Sequence, residues 1–494
     1  MTTPAPDAFA IRAAYRKTRN MQTLALCGLG LLGGLMLFAS DKPLGLWWLQ
    51  LVAFIPLLWG IFRLKPSWSM AVVAGACFGA GYTAPLMHML QFPFAPAIIL
   101  EIYQSLLWVA FFAAVAIFTS LPPLRRIAAI AAAAVLVEWF DITVMPAWGT
   151  AQLFTRIWSD IPAAMQLGAW TGPLGLVFVV MAINASLALY AAESHHWKQA
   201  LLSLAVVLLV WAAPLLQTTW VQPHDTVTVA AMGWTRDDTY AVRTTHPDRI
   251  MKDLYLPHLK KAVKQGATII VSPEMGFNLK HDTKGPIKQQ LAFLAQRYHV
   301  TLGVGYFDRD RDDNRLLFIG PDGSFLGEYV KTHLIYGLET YQPGDGSLQL
   351  HKAGNHLLGG MICQDDNFTD LSRALYLHGA DIVAVPTYDW KQVAPYHFEN
   401  SRFRAVESRY GVIRAAWEGT SAIVDARGIV HAEYDHLKNG PGVVVANLPL
   451  YRIWSPYSYL GNWPAWLSMI VFGLWAVHTI ATHRRSLTNF PQAH

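Results

Sequence analysis

The sequence predicts an α-helical membrane domain of several spans joined to an α/β layered domain. Three observations carry this. Hydrophobic residues make up 53% of the chain and charged residues 14%, against about 25% charged in soluble domains. Long apolar runs crowd residues 21–218 and return once near the C-terminus. Between them, from about 225, strand-like apolar runs alternate with amphipathic stretches, the texture of an α/β unit. At 494 residues the chain is too long for one ordinary domain. Boundaries are expected at 1–218, 219–455 and 456–494.

A span needs about 20 mostly apolar residues. Such runs lie at 21–40, 44–62, 68–90, 96–120, 127–145, 171–192, 200–218 and 464–482. Arg12, Arg16, Lys17 and Arg19 precede the first, as in a secretion signal. No small-residue cleavage site is clear and a second run follows at once, so an uncleaved span is expected. Every second connection is basic: the N-terminus, Arg63 with Lys65, Arg125 with Arg126, Lys198 with His195 and His196, and Arg484 with Arg485. The loops between them are poor in Lys and Arg. Positive charge marks the cytoplasmic side, so both ends are expected inside and 219–460 outside.

The loop 146–170 carries Trp148, Phe154, Trp158 and Trp170. It reads either as a segment lying on the outer membrane–water boundary or as plain packing between spans. Glu101, Glu138 and Asp141 lie in or beside spans. They are either functional acids or hydrogen-bonding links between helices. The net charge of +5 is spread along the chain without a basic block, so no nucleic-acid partner is expected. Of three cysteines, Cys27 and Cys77 fall in apolar runs and are expected to be small core residues. No disulfide framework and no Cys/His metal spacing is present, so neither metal nor cofactor is expected.

In the soluble stretch, strands are expected at 226–231, 267–272, 301–306, 357–362, 381–386, 411–416, 420–425 and 441–447. Helices are expected at 247–266, 286–298, 368–378 and 397–410. A hairpin is expected from 316–319 and 325–330 across the turn Pro321-Asp322-Gly323. Glu274 and Cys363 each sit just past a strand run, where α/β folds place their sites. Lys331 follows the hairpin's second strand. Alone, each has an ordinary reading: a buried thiol, a solvated or capping carboxylate, a surface ammonium. Together they can make and break an acyl bond: the carboxylate takes the thiol proton, the thiolate attacks, and the ammonium steadies the oxyanion.

Their flanks are Pro273-Glu274, Lys331-Thr-His333-Leu334 with Glu339, Gly359-Gly360-Met-Ile-Cys363, Arg402-x-Arg404-Ala405-x-Glu407 and Asp425-x-x-Gly428. Over about 225–450 this resembles the carbon–nitrogen hydrolase (nitrilase) superfamily, whose site is a Glu-Lys-Cys triad. With spans on both sides, Glu138-Trp139 and the Gly-Pro-Leu-Gly stretch at 172–175, the chain as a whole is similar to the bacterial apolipoprotein N-acyltransferase family. The resemblance implies a multi-pass protein of the inner membrane with an extracytoplasmic, nitrilase-like α-β-β-α sandwich. It also implies an acyltransferase moving a fatty acyl chain from a phospholipid, through a Cys363 thioester, to the N-terminal amine of a lipoprotein, with the chain acting as a monomer. Glu274 is then the base, Lys331 the oxyanion partner and Glu339 the acid orienting Lys331, with the Gln364 N–H as a further oxyanion donor.

Departures cluster round the pocket. Gln364-Asp365-Asp366 follows the nucleophile where the family has an aromatic residue and Glu. Trp417-Glu418-Gly419 replaces an Asn before Gly, and Met232-Gly233-Trp234 stands where Gln-Gly-Asn is common. Trp234, Trp417 and Glu418 are therefore candidate substrate contacts, and Asp365 and Glu418 are expected to bring negative charge to the acceptor amine. Two further readings stay open: a membrane-tethered amidase or paralogous acyltransferase with another acceptor, and a non-catalytic envelope protein that keeps the fold. Chain length, head group and acceptor are not written in the sequence.

Overall fold

The computed structural model of the protein describes residues 8–42, 44–91, 94–145, 148–235 and 246–488. Pro146 and Ala147, and the side chains of Arg12, Arg484 and Arg485, lie outside the described residues. By contact the chain divides into two compact units. One runs to Asp141 and adds Val177–Val210 and the chain from Trp463. The other holds Ile142–Leu176 and Trp211–Asn462.

The first unit is helical. Seven helices among the described residues are long and apolar enough to cross a membrane: Tyr15–Ser40, Trp47–Leu64, Trp68–Leu90, Ala97–Phe118, Pro123–Val144, Pro173–Ala192 and Ser194–Thr219. The eighth expected span falls in the helix Trp463–Thr488, apolar over Trp463–Trp475, where its side chains are described. The second span is broken, which the apolar run did not foretell. A 3-10 turn, Trp47–Leu51, precedes the α-helix Ile55–Leu64, which has a proline in its first turn. Asn184 fills the break, donating to the Gln50 carbonyl at 2.8 Å and accepting from the Phe54 N–H at 3.1 Å. In lipid such backbone groups need a partner inside the protein. Helices one and three meet through glycine: a Cβ on Gly34 would lie 2.1 Å from the Phe78 carbonyl oxygen. Asp141 is buried and accepts from Gln104 Nε2 with both oxygens, at 3.1 and 3.2 Å, an interhelical link of the kind small polar contacts make in membranes.

The second unit contains two stacked sheets. The first holds β1 (Asp225–Gly233), β2 (Ile269–Val271), β3 (Phe277–Leu279), β4 (Thr301–Asp308), β5 (Asp313–Ile319), β6 (Phe325–Val330) and the last strand. The second holds β7 (Leu350–Ala353), β8 (His356–Gly360), β9 (Ile382–Tyr388), β10 (Gly411–Trp417), β11 (Thr420–Val424) and β12 (Val430–Asp435). The last strand, β13 (Gly442–Leu450), pairs antiparallel with β1. The orders are β13-β1-β2-β4-β5-β6, with β3 beside β4, and β12-β11-β10-β9-β8-β7. β1 shows why both faces are covered. Val229 and Ala231 point into the core between the sheets, where Val383, Val385 and Val412 meet them. Ala230 and Met232 point the other way, onto Tyr255, Leu259 and Leu291 of the covering helices. This is the period of two of a strand buried on both faces. Helices Thr369–Leu377 and Ala394–Ser408 cover the second sheet. The layers are α-β-β-α.

Of the two readings of the loop 146–170, residues 148–176 favour packing over a lipid-lying segment. They form short turns, Gly149–Gln152, Phe154–Asp160, Pro162–Met165 and Gly168–Thr171, inside the α/β unit. Phe154 and Trp158 are each 1% exposed. Arg156 stacks on Tyr396 and lies 3.2 Å from Glu399 on the helix Ala394–Ser408. Two of the four aromatics that suit a membrane surface are here interior to the α/β unit, while Trp170 stays 36% exposed.

Candidate active site

Three strand ends converge. Glu274 follows β2, Lys331 follows β6, and Cys363 opens the 3-10 helix Cys363–Asn367 after β8. All three are buried. Cys363 has φ +48° and Met275, next to Glu274, +47°. Such left-handed backbone in non-glycine residues is costly and gathers at functional sites. The Glu274 loop needs Gly305 beneath it, where a Cβ would lie 2.2 Å from the Pro273 carbonyl oxygen.

Lys331 Nζ donates to Glu274 Oε1 at 2.9 Å and to Glu339 Oε1 at 2.7 Å. Glu339 is held in turn by the Ile335 N–H at 2.8 Å. Asn314 Nδ2 donates to Glu274 Oε1 at 2.6 Å and to the Tyr341 hydroxyl at 3.3 Å. These fix one oxygen of Glu274. The other, Oε2, accepts no hydrogen bond among the described residues, and the charge of Glu274 bears on the buried Cys363 thiol. At rest the thiol donates to the Tyr388 carbonyl at 3.7 Å. Burial raises the Cys363 pKa well above the usual thiol range, helped by the charge of Glu274 and opposed by Lys331. Burial also raises that of Glu274, against the pull of Lys331. For Lys331 burial works against the charge, but Cys363 and Glu274 outweigh it, and the ammonium is held well above its ordinary value. The resting state is a neutral thiol beside a carboxylate made more basic by burial, next to a fixed cation.

Asp365 is buried and engaged within the protein. Its carboxylate accepts from the N–H groups of Ile362, Thr332 and His333, from the Tyr329 hydroxyl and from the His333 ring, at 2.7–3.2 Å. It ties the Lys331 loop to the turn that Cys363 opens. The Gln364 side chain accepts from Asn367 at 2.7 Å. Trp234 and Trp417 are buried and joined by a backbone bridge, with Trp417 5.4 Å from the Tyr388 ring. Glu418 turns the chain at φ +55° and donates its N–H to the Trp234 carbonyl at 3.1 Å.

Behind Cys363 lies a group the sequence reading missed. His397, Asp389 and Cys363 place ligand-type atoms within 4.8 Å of one another. Ion pairs already occupy the two polar ones: His397 Nδ1 is 2.6 Å from Asp389 and Nε2 3.0 Å from Asp366. Arg414 Nη2 donates to Asp389 at 2.7 Å. Four elements supply these residues, so no local motif signals them.

Two stacked mixed sheets with strand-end Glu, Lys and Cys define a nitrilase-type fold. A family model for carbon-nitrogen hydrolase matches residues 228–455, and one for the apolipoprotein N-acyltransferase N-terminal domain matches 33–186. The apolipoprotein N-acyltransferase of Gloeobacter violaceus is 24% identical over 97% of this chain and 99% of its own length. That of Verminephrobacter eiseniae is 26% identical over 78% and 81%. A citrullinase from Francisella tularensis is 28% identical over 41% of this chain and 84% of its own length. The chain belongs to the apolipoprotein N-acyltransferase family, a membrane branch of the nitrilase superfamily.

Proposed function

We propose that the protein is an N-acyltransferase of the membrane's outer face, moving a fatty acyl chain from a phospholipid to the α-amine of a lipoprotein. The observation that carries this is Lys331 shared between Glu274 and Glu339, with Cys363 buried at the same strand-end site, on a multi-pass membrane chain of this family. Glu274 takes the thiol proton as Sγ attacks the ester carbonyl. Lys331 and the Gln364 N–H steady the oxyanion. The lysophospholipid leaves with the proton from Glu274, and a thioester remains on Cys363. The acceptor amine then attacks, gives a proton to Glu274, and the thiolate departs and is reprotonated. Proton transfer from thiol to Glu274 leaves the net charge of the buried group unchanged, so it needs no new counter-ion. The alternating basic loops support a site outside and termini inside.

A two-stage assay tests this. Protein incubated with phospholipid, separated, then mixed with a diacylated lipopeptide bearing a free α-amine, should hand over one acyl chain to that amine. The citrullinase relative gives a specific alternative, amide or ester hydrolysis. Release of free fatty acid with an unmodified lipopeptide would favour it. A reporter active only outside the cytoplasm, fused at Gln349, should be active, and one after Arg485 silent. The reverse would exclude the outer-face reaction.

A further inference from the structure

Cys363 lies between two buried ionic groups, and only the first belongs to the triad. The second is built from the turn after Cys363, the loop after β9, the helix Ala394–Ser408 and β10. Asp366, Asp389, His397 and Arg414 are all buried. His397 is clamped with Nδ1 2.6 Å from Asp389 and Nε2 3.0 Å from Asp366. Arg414 spans the same pair: Nη2 reaches Asp389 at 2.7 Å and Nη1 lies 3.5 Å from Asp366. Arg414 also donates to Thr387 Oγ1 at 3.1 Å and Ser401 Oγ at 3.0 Å, and Ser401 donates to Asp366. Asp389 has an oxygen within 4.8 Å of the Cys363 sulfur. A bare carboxylate there would oppose a thiolate. The charges facing His397 are these two carboxylates and the Arg414 guanidinium, with the Cys363 thiol beside them.

We propose that His397 is a positioning residue for the nucleophile: as an imidazolium it joins Arg414 in neutralising Asp389 and Asp366, so that the Cys363 thiolate forms against a balanced rather than an anionic wall. Two cations then face two carboxylates, so this wall adds no net charge against the sulfur, and Lys331 lowers the thiol's pKa from the other side. Loss of the imidazolium leaves one negative charge behind Cys363. The inference rests on Cys363 as nucleophile, yet its readout, the acidity of that thiol, is separate from turnover.

The experiment uses the full-length protein with Cys27→Ala and Cys77→Ala, so that Cys363 is the one thiol. The rate of Cys363 alkylation by iodoacetamide is followed against pH by intact mass. His397→Gln keeps a polar side chain and removes the charge. It should move the alkylation profile about one pH unit upward, with about tenfold slower alkylation and acyl-enzyme formation near neutrality. Asp389→Asn added to His397→Gln removes the exposed negative charge and should bring the profile back towards the parent. A His397→Gln profile that coincides with the parent would overturn the proposal. So would an upward shift that the second substitution leaves unchanged, since that marks a packing defect rather than a charge effect. Cys363→Ala retaining turnover would instead defeat the nucleophile assignment, and is told apart by its own assay.

Discussion

The two ionic groups flanking Cys363 are built from the same parts and do different work. On one side Lys331 faces two carboxylates, Glu274 and Glu339. On the other, two cations, His397 and Arg414, face two carboxylates, Asp366 and Asp389. The first group is one positive charge short, and Glu274 keeps an oxygen that no described donor binds. The second is balanced. An unbalanced group can accept a proton. A balanced one can hold a backbone turn in place, here the left-handed Cys363, without competing for that proton. The difference predicts that substitutions on the Lys331 side remove chemistry, whereas those on the His397 side retune it.

The largest effect expected is from Cys363→Ala, which should abolish both acyl-enzyme and transfer, while Cys27→Ala and Cys77→Ala retain them. Next comes Glu274→Gln, which keeps the shape and removes the acceptor. Acyl-enzyme formation should slow by about 10²–10⁴-fold in single-turnover kinetics. Lys331→Met should cost about 10²–10³-fold and also destabilise the fold, since buried Glu274 and part-buried Glu339 lose their cation. If Glu274→Gln slows acylation no more than His397→Gln does, the contrast between the two groups fails.

Stability should report the balanced group. Burial opposes the charge on His397, but Asp366 and Asp389 prevail and push its pKa up from 6.5 to about 9. A raised pKa in the fold means the contribution is complete below about pH 6.5 and is lost as pH climbs through about 9. The melting temperature should fall across that window, and less so in His397→Gln. A shallower fall should persist there, because His333, near Asp365 and Asp370, is also raised to about 9. The smallest effect belongs to the supporting layer. Thr150 donates to the Asn367 carbonyl, at the far end of the nucleophile's 3-10 helix, at 2.8 Å. Thr150→Val should cost about 1 kcal/mol of stability and leave the alkylation profile of Cys363 where it was.

Legibility followed distance along the chain. That Glu274, Lys331 and Cys363 would meet was legible because each follows a strand run visible in the sequence. The hairpin β5–β6 was also visible: Gly323 takes φ +84° and the Asp322 carboxylate accepts from the Ser324 N–H at 3.0 Å. β3, β7 and β12 were not, being three, four and six residues long without a full apolar face. Asp365 was read as a charge facing the substrate, because nothing local shows that Tyr329, Thr332 and His333 already bind it. In the sequence the segment 148–176 stays between two readings for the same reason. Phe154 and Trp158 look like interface anchors until Arg156 is seen on Glu399, far along the chain. His397 gave no signal, since its partners arrive from three other elements.

The central claim is that Cys363 becomes a thioester, and the intact mass of the protein measures this directly. After incubation with a phospholipid of defined acyl chains and no acceptor, the mass should rise by one acyl group. The gain should map to the Cys363 peptide, be absent in Cys363→Ala, and disappear on treatment with hydroxylamine. An acyl adduct on another residue, or an unchanged mass from protein that hydrolyses the same phospholipid to free fatty acid, would contradict the account.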